Sequence, residues 1–225
     1  MRTRRPSVSA AAEARLWQLI SPAAPVGAFH YSQGLEAAVE HGWVDDAAGL
    51  QKWLHAHLGR VLVRVDLPLI SRAMAAWNVR DTAGLLQWDA LALACRETRE
   101  LRDEQRQMGH ALGRLARGLG DVYPGAELCY SVAFGVMAAN RNIPDERALA
   151  GFGFAWCENQ IVAAQKLLPI GQIAGQQMLG DLAARLDNLV GEALCCDDAS
   201  IGLCIPHGSV ASARHETQYS RLFRS

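Results

Sequence analysis

Between Arg96 and Gly120 the apolar residues Leu101, Met108, Leu112, Leu115 and Leu119 follow one another at steps of seven, four, three and four. That rhythm lies along one side of an α-helix and does not fit the two-residue period of a strand. The other side carries Arg96, Glu97, Arg99, Glu100, Arg102, Asp103, Glu104 and Arg106. Arg96 and Glu100, like Arg99 and Asp103, stand four apart, where opposite charges support a helix slightly. This face reads as a solvated surface laced with ion pairs, or as a docking face for a partner.

The remainder of the chain repeats the helical period. A first helix is expected over Ala10–Ile20, stopped by Pro22 and Pro25. Ser32 can cap a short helix ending near Gly42, and Asp45 and Asp46 open the next, whose apolar set is Leu50, Trp53, Leu54, His57 and Leu58. Arg60 to Val65 alternates like a strand but has no strand-like partner, so it is read as helix. Further helices are expected from Pro68 to about Asn78, from Thr82 through Leu93, and from Gly125 to Ala139. Another follows Pro144, with a break at Pro169 and helical period again to about Leu194. After Asp197 the period fades. The expectation is an all-α, single-domain multi-helix bundle over residues 1–225, with 1–9 flexible and 197–225 an irregular tail.

Several functional classes drop out. Basic and acidic residues number 22 and 23, so no global field favours nucleic acid or an acidic membrane. The most weakly charged span, Asn159 to Gly180, holds Lys166, Pro169 and several Gln, which excludes a membrane helix. No targeting segment is recognisable and the six cysteines form no CxxC pair, so a reducing, cytoplasmic setting is expected. The sequence contains neither a GxSxG elbow nor a GxxxxGK[ST] loop, so no catalytic residue and no cofactor are proposed.

Three features carry candidate chemistry. Cys195, Cys196, Cys204 and His207 offer thiolate and imidazole donors suited to a borderline divalent ion, though a Cys-rich helix end is more often small apolar packing. Lys166 is the sole basic residue between Arg147 and Arg185. It either reaches to water, pairs with Glu158, or meets an acidic partner. The ending His215 to Ser225 mixes Tyr219 and Phe223 with arginines, a composition common at interfaces; it is either ordered by a partner or strapped onto its own domain. His55 and His57, two apart on a helix, point to different sides and suit packing better than metal.

Four stretches together resemble the urease accessory protein family UreF: Ser21-Pro22 through Gly27-Ala28-Phe29-His30-Tyr31-Ser32-Gln33-Gly34-Leu35-Glu36; Arg96-Glu97-Thr98-Arg99-Glu100-Leu101-Arg102; Glu158-Asn159-Gln160 with Lys166-Leu167-Leu168-Pro169-Ile170-Gly171-Gln172; and the ending His215 to Ser225. His30 stands where that pattern has a small polar residue, and the Cys195-Cys196 pair falls outside it. The resemblance implies a homodimer that binds UreD (also called UreH) and the nickel-binding GTPase UreG. It also implies that the assembly delivers nickel to the urease apoprotein, with this chain governing GTP hydrolysis. Under it, Lys166 is a control contact for UreG. Arg221, with Arg214, His215, Tyr219 and Phe223, belongs to a partner-binding tail, and Tyr31, Ser32 and Glu36 shape the same surface. The alternative is a direct nickel metallochaperone using Cys195, Cys196, Cys204 and His207.

Overall fold

In the computed structural model the described residues are 9–225, and among them there is helix and no strand. The flexibility expected of residues 1–9 falls outside them except at Ser9, whose Oγ accepts from the Ala12 N–H and caps the first helix. Eleven α-helices follow: α1 (Ala10–Ile20), α2 (Leu35–Glu40), α3 (Ala47–Ala56), α4 (Leu67–Asn78), α5 (Thr82–Ala94), α6 (Arg99–Gly118), α7 (Tyr130–Asn140), α8 (Asp145–Leu167), α9 (Gln172–Ala183), α10 (Leu186–Leu194) and α11 (Pro206–His215).

The strand-like run Arg60–Val65 lies within a π-helical segment, His57–Asp66, that joins α3 to α4 through right-handed helical backbone at both junctions. Pro68 has no N–H to continue an α-helical ladder, and the wider turns before it leave room for its ring. The alternation that suggests a strand reflects burial on both flanks: Leu62, Val63 and Val65 are all buried.

At the centre lies α7, buried at every position from Ser131 to Ala139. A helix with apolar or small residues on all sides belongs in an interior. It crosses α4 closely because Gly135 has no side chain; a Cβ there would stand 2.7 Å from the Ile70 carbonyl oxygen. Around this pair α5, α6, α8 and α10 close one continuous core. Each fully buried Leu, Ile or Phe in it contributes about 1.5–3 kcal/mol relative to exposure. Helix α7 starts at Tyr130 rather than Gly125; 121–129 is a loop whose last two residues, Leu128 and Cys129, are buried against the bundle. Pro169 breaks the chain cleanly between α8 and α9.

The tail is not wholly irregular. Helix α11 rises within it, opened by Pro206 in its first turn. Its buried face is Gly208, Ala211, Ser212 and His215, at the i, i+3, i+4, i+7 spacing of an amphipathic helix. These residues are small or polar, so a search for large apolar residues passes over them.

Candidate functional site: a clasp between residues 27–36, α6 and the C-terminal tail

Residues 27–36 begin with left-handed backbone at Gly27, pass through one 3₁₀ turn over Ala28–His30, and return to left-handed backbone at Gln33 and Gly34 before α2. This course turns Tyr31, Ser32 and Glu36 inward, and all three are buried. Glycine is required at 34 for a second reason: a Cβ there would lie 2.9 Å from the Ser212 backbone nitrogen on α11.

The chain's end is woven into that motif. The Ser32 backbone N–H and its Oγ both donate to the Ser225 carbonyl oxygen, at 2.8 and 2.6 Å. The Arg224 N–H donates to the His30 carbonyl at 2.8 Å. Glu36 takes the next two amides upstream, Phe223 N–H on Oε2 at 2.9 Å and Leu222 N–H on Oε1 at 2.7 Å. His215, fully buried, lies between two carboxylates: Nε2 is 3.1 Å from Glu36 Oε2 and Nδ1 is 2.6 Å from Glu100 Oε2.

Helix α6 supplies the other half of the clasp. Glu100 Oε1 also accepts from Arg221 Nη1 at 2.6 Å. Glu216 lies over the start of α6, its Oε1 accepting from the Arg99 N–H at 2.9 Å, a favourable place for a carboxylate on a helix N-terminus. Thr98, which caps α6, shares a 2.7 Å hydrogen bond between its Oγ1 and Ser212 Oγ. Glu104 is buried, with Oε1 accepting from Gln33 Nε2 at 2.6 Å and Oε2 from Ser225 Oγ at 2.8 Å. Burial pushes its carboxyl up to about 7, opposed by those two hydrogen bonds. Behind it Arg96 pairs with Asp66, both buried; burial also raises the Asp66 carboxyl, while the guanidinium pulls it back.

The third stretch, on α8, completes the convergence. Asn159 Nδ2 donates to the Tyr31 carbonyl at 3.3 Å, and Trp156 Nε1 to Gln33 Oε1 at 2.8 Å. The exposed Lys166 ammonium stands 5.4 Å from the centroid of the buried Phe223 ring. That cation–π contact replaces the pairing with Glu158 considered from sequence.

Of the residues singled out from sequence, Tyr31, Ser32, Glu36, Lys166, His215, Arg221 and Phe223 meet here. Arg214 does not join them; its guanidinium lies over the Trp43 ring at 5.1 Å. Tyr219 is fully exposed. The thiol cluster does not assemble: Cys196 is buried, Cys195 and Cys204 are exposed, and His207 meets Trp43 edge-on at 6.1 Å. Among the described residues no group of three or more His, Cys, Asp or Glu could hold a metal ion.

Sequence reasoning gave no individual role to Glu100, Glu104 or Glu216: it read the charged side of α6 as a solvated or partner-docking face and Glu216 only as part of the tail. Arg96 is buried against Asp66 instead of pairing with Glu100, whereas Arg99 and Asp103 do pair, at 3.5 Å. A signal was present. The step of seven from Leu101 to Met108 skips a helical turn of the apolar stripe, and the buried Glu104 and Gln105 occupy that gap. A polar residue inside a buried stripe needs a partner: Glu104 finds Gln33 and Ser225, and Gln105 accepts from the Ser131 N–H on α7 at 3.3 Å.

A family profile described as UreF matches residues 44–183. The chain is 44% identical over 223 residues to a protein named urease accessory protein UreF from Alkalilimnicola ehrlichii, covering 95% of this chain and 96% of that one. It is 46% identical over 220 residues to the protein of the same name from Chromohalobacter salexigens, covering 94% of each. It is 42% identical over 219 residues to that from Escherichia coli O157:H7, covering 94% and 96%.

Proposed function

The chain belongs to the UreF family of urease accessory proteins, and on that premise we propose that it is a non-catalytic, cytoplasmic scaffold in urease maturation. In this reading it forms a homodimer, binds UreD (UreH) and the GTPase UreG, regulates GTP hydrolysis, and assists nickel insertion into the urease apoprotein. Nickel is the cargo of the assembly and GTP is turned over by the partner, since this sequence carries no phosphate loop of its own.

One observation carries the reading. Four stretches far apart in sequence converge on a single surface: the 27–36 motif, α6 and the tail through hydrogen bonds to buried or half-buried carboxylates, and α8 through neutral hydrogen bonds and the Lys166–Phe223 contact. Bonds to carboxylates are strong and directional, and Glu36, Glu100 and Glu104 all hold the one short tail. Much of what the clasp then presents outward is fit for contact: Lys166, Arg221, Arg224, Tyr219 and Leu222 are all exposed. Tyr219 and Leu222 are large side chains left in water at the end of a tightly fixed segment. Under this proposal the buried members, Tyr31, Ser32, Glu36, His215 and Phe223, shape the docking surface. The exposed members touch the partners, with Lys166 the control contact for UreG. Arg214, over the Trp43 ring and outside the clasp, is a separate partner contact in this reading.

The test is co-expression with UreD and UreG followed by size-exclusion chromatography. The full chain is expected to elute in a ternary complex. A Tyr219→Ala, Leu222→Ala double variant is expected to fall out of it while its melting temperature stays unchanged. Failure of the unaltered chain to associate, or association undiminished in the variant, would overturn the docking surface.

A further inference from the structure

Beside the clasp, on the other side of Gln33 and Glu104, a cavity of about 180 Å³ opens between the 21–29 turn, α6 and α8. Four aromatic residues line it: Phe29, Tyr130, Phe152 and Trp156. Three carboxylate residues line it too, Asp66, Glu104 and Glu158, and no Lys, Arg or His does. Its deep end is marked by the buried Asp66 and Glu104, and its mouth by the exposed Phe29 and Val162 with half-buried Glu158. We infer that this cavity is a socket for a lysine side chain presented by a docking polypeptide, a deepening that rests on the scaffold reading above.

The charge balance argues for a cation. The buried guanidinium of Arg96 is hydrogen-bonded to Asp66 and its charge also reaches Glu104, so two buried carboxyl groups share one guanidinium, while the two hydrogen-bond donors to Glu104 are the neutral Gln33 amide and the Ser225 hydroxyl. A buried carboxylate with neutral donors, at the end of an apolar slot without a basic lining residue, attracts positive charge. Aromatic faces attract an ammonium as well, and the slot's apolar length suits an aliphatic stem. The donor geometry favours lysine over arginine. Each Glu104 oxygen already accepts one hydrogen bond, so fewer acceptor sites remain for a planar bidentate fork, whereas a compact ammonium needs only one.

The source is a polypeptide because of where the mouth lies. Glu158, Val162 and Lys166 stand at successive four-residue steps along α8, and Val162 and Lys166 are exposed. The slot therefore opens on the helix face that carries Lys166 beside the clasp, and the exposed Phe29 and Val162 flank an entering chain.

Two measurements test this. In the first, the isolated chain is titrated with n-butylammonium, the lysine side-chain analogue, and separately with n-butanol, while the Trp156 indole N–H resonance is followed. Saturable shifts are expected at a concentration at least roughly tenfold lower for the ammonium, a preference of about 1.4 kcal/mol. That preference should shrink in Glu158→Gln, which alters only the half-exposed mouth, and vanish in Glu158→Gln with Glu104→Gln. Equal binding of alcohol and ammonium, or a preference unmoved by either variant, overturns the socket. In the second, the ternary complex is footprinted with an amine-acetylating reagent. One partner lysine is expected to be shielded, and to become reactive when the socket carries the Glu158→Gln, Glu104→Gln pair. A complex in which no lysine behaves so refutes the inference. If no complex forms, the scaffold reading and the polypeptide source fail together, while the butylammonium titration still decides whether the cavity prefers an amine.

Discussion

Glu36 holds the backbone N–H of Phe223 at 2.9 Å across 187 positions of sequence, and the neighbouring N–H of Leu222 at 2.7 Å on its other oxygen. One carboxylate on a six-residue helix thus fixes two consecutive peptide groups near the chain's end, and the same Oε2 faces His215.

Replacing that carboxylate should loosen the tail before it loosens the core. Glu36→Ala strands two amide donors and one imidazole nitrogen, and bonds to charged groups are worth about 1.5–3 kcal/mol each. A net loss of about 2–4 kcal/mol is expected. Hydrogen exchange at Leu222 and Phe223 should accelerate while the amides of α7 stay protected. Unchanged protection at both tail amides would mean that Glu36 does not hold them.

The approach of α11 depends on two glycines. A Cβ on Gly34 would meet the Ser212 backbone nitrogen at 2.9 Å, at a residue whose φ is +82°. One on Gly208 would lie 2.8 Å from Nε2 of His57, which is buried and anchored at Nδ1 by the Trp53 carbonyl. Gly34→Ala and Gly208→Ala should each lower the melting temperature, the first by more than about 2 kcal/mol equivalent, since left-handed strain adds to the backbone clash. Gly191→Ala is the control. It faces open space within α10 and should stabilise by up to about 1 kcal/mol.

Lys166 and Phe223 touch, yet their removal should have different consequences. Lys166 is exposed, so Lys166→Ala is expected to cost no more than about 0.5–1 kcal/mol, the scale of an exposed cation–π contact. Phe223 is 5% exposed, and Phe223→Ala should cost about 3–5 kcal/mol. Chemical denaturation of both variants separates the two roles. If Lys166→Ala proved as costly as Phe223→Ala, Lys166 would be structural, and a control role through UreG would lose its basis.

The stability of the clasp should decline as pH rises. Glu104 is held near 7, above the ordinary 4.5, mainly by burial. Between those values the native state keeps a proton that the unfolded chain has released. Stability therefore falls through this window as pH climbs and levels off above it, each unit of displacement being worth about 1.4 kcal/mol. Glu104→Gln removes the titration. Subtracting its melting curve between pH 4.5 and 8 from that of the unaltered chain should leave a downward slope ending near 7, and a flat difference would contradict the assignment.

Most helices were legible because their apolar residues are large and periodic. Leu16 and Leu19 on α1, and Leu50, Trp53 and Leu54 on α3, are buried as the 3.6-residue period requires. Helix α11 was not legible, because its buried face consists of Gly208, Ala211, Ser212 and His215. Such a face gains little from leaving water and is held instead by close backbone approach and hydrogen bonds, neither of which has a sequence period. The candidate site was legible in part. Its motif residues could be named, but Glu104 looked like any charged residue on a helix.

The sequence by itself determined what depends on neighbours one turn away: the helical class, the breaks at proline, the cap at Asp46, and the absence of a phosphate loop. Only the tertiary structure decided which charges are surface and which are interior. It joins Ser32 to Ser225 and Glu100 to His215, and leaves the thiols of Cys195 and Cys204 apart from any metal-holding group. The reason is physical. Local propensity acts over a few residues, whereas the cost of burying a carboxylate is met only by donors that folding brings from the far end of the chain.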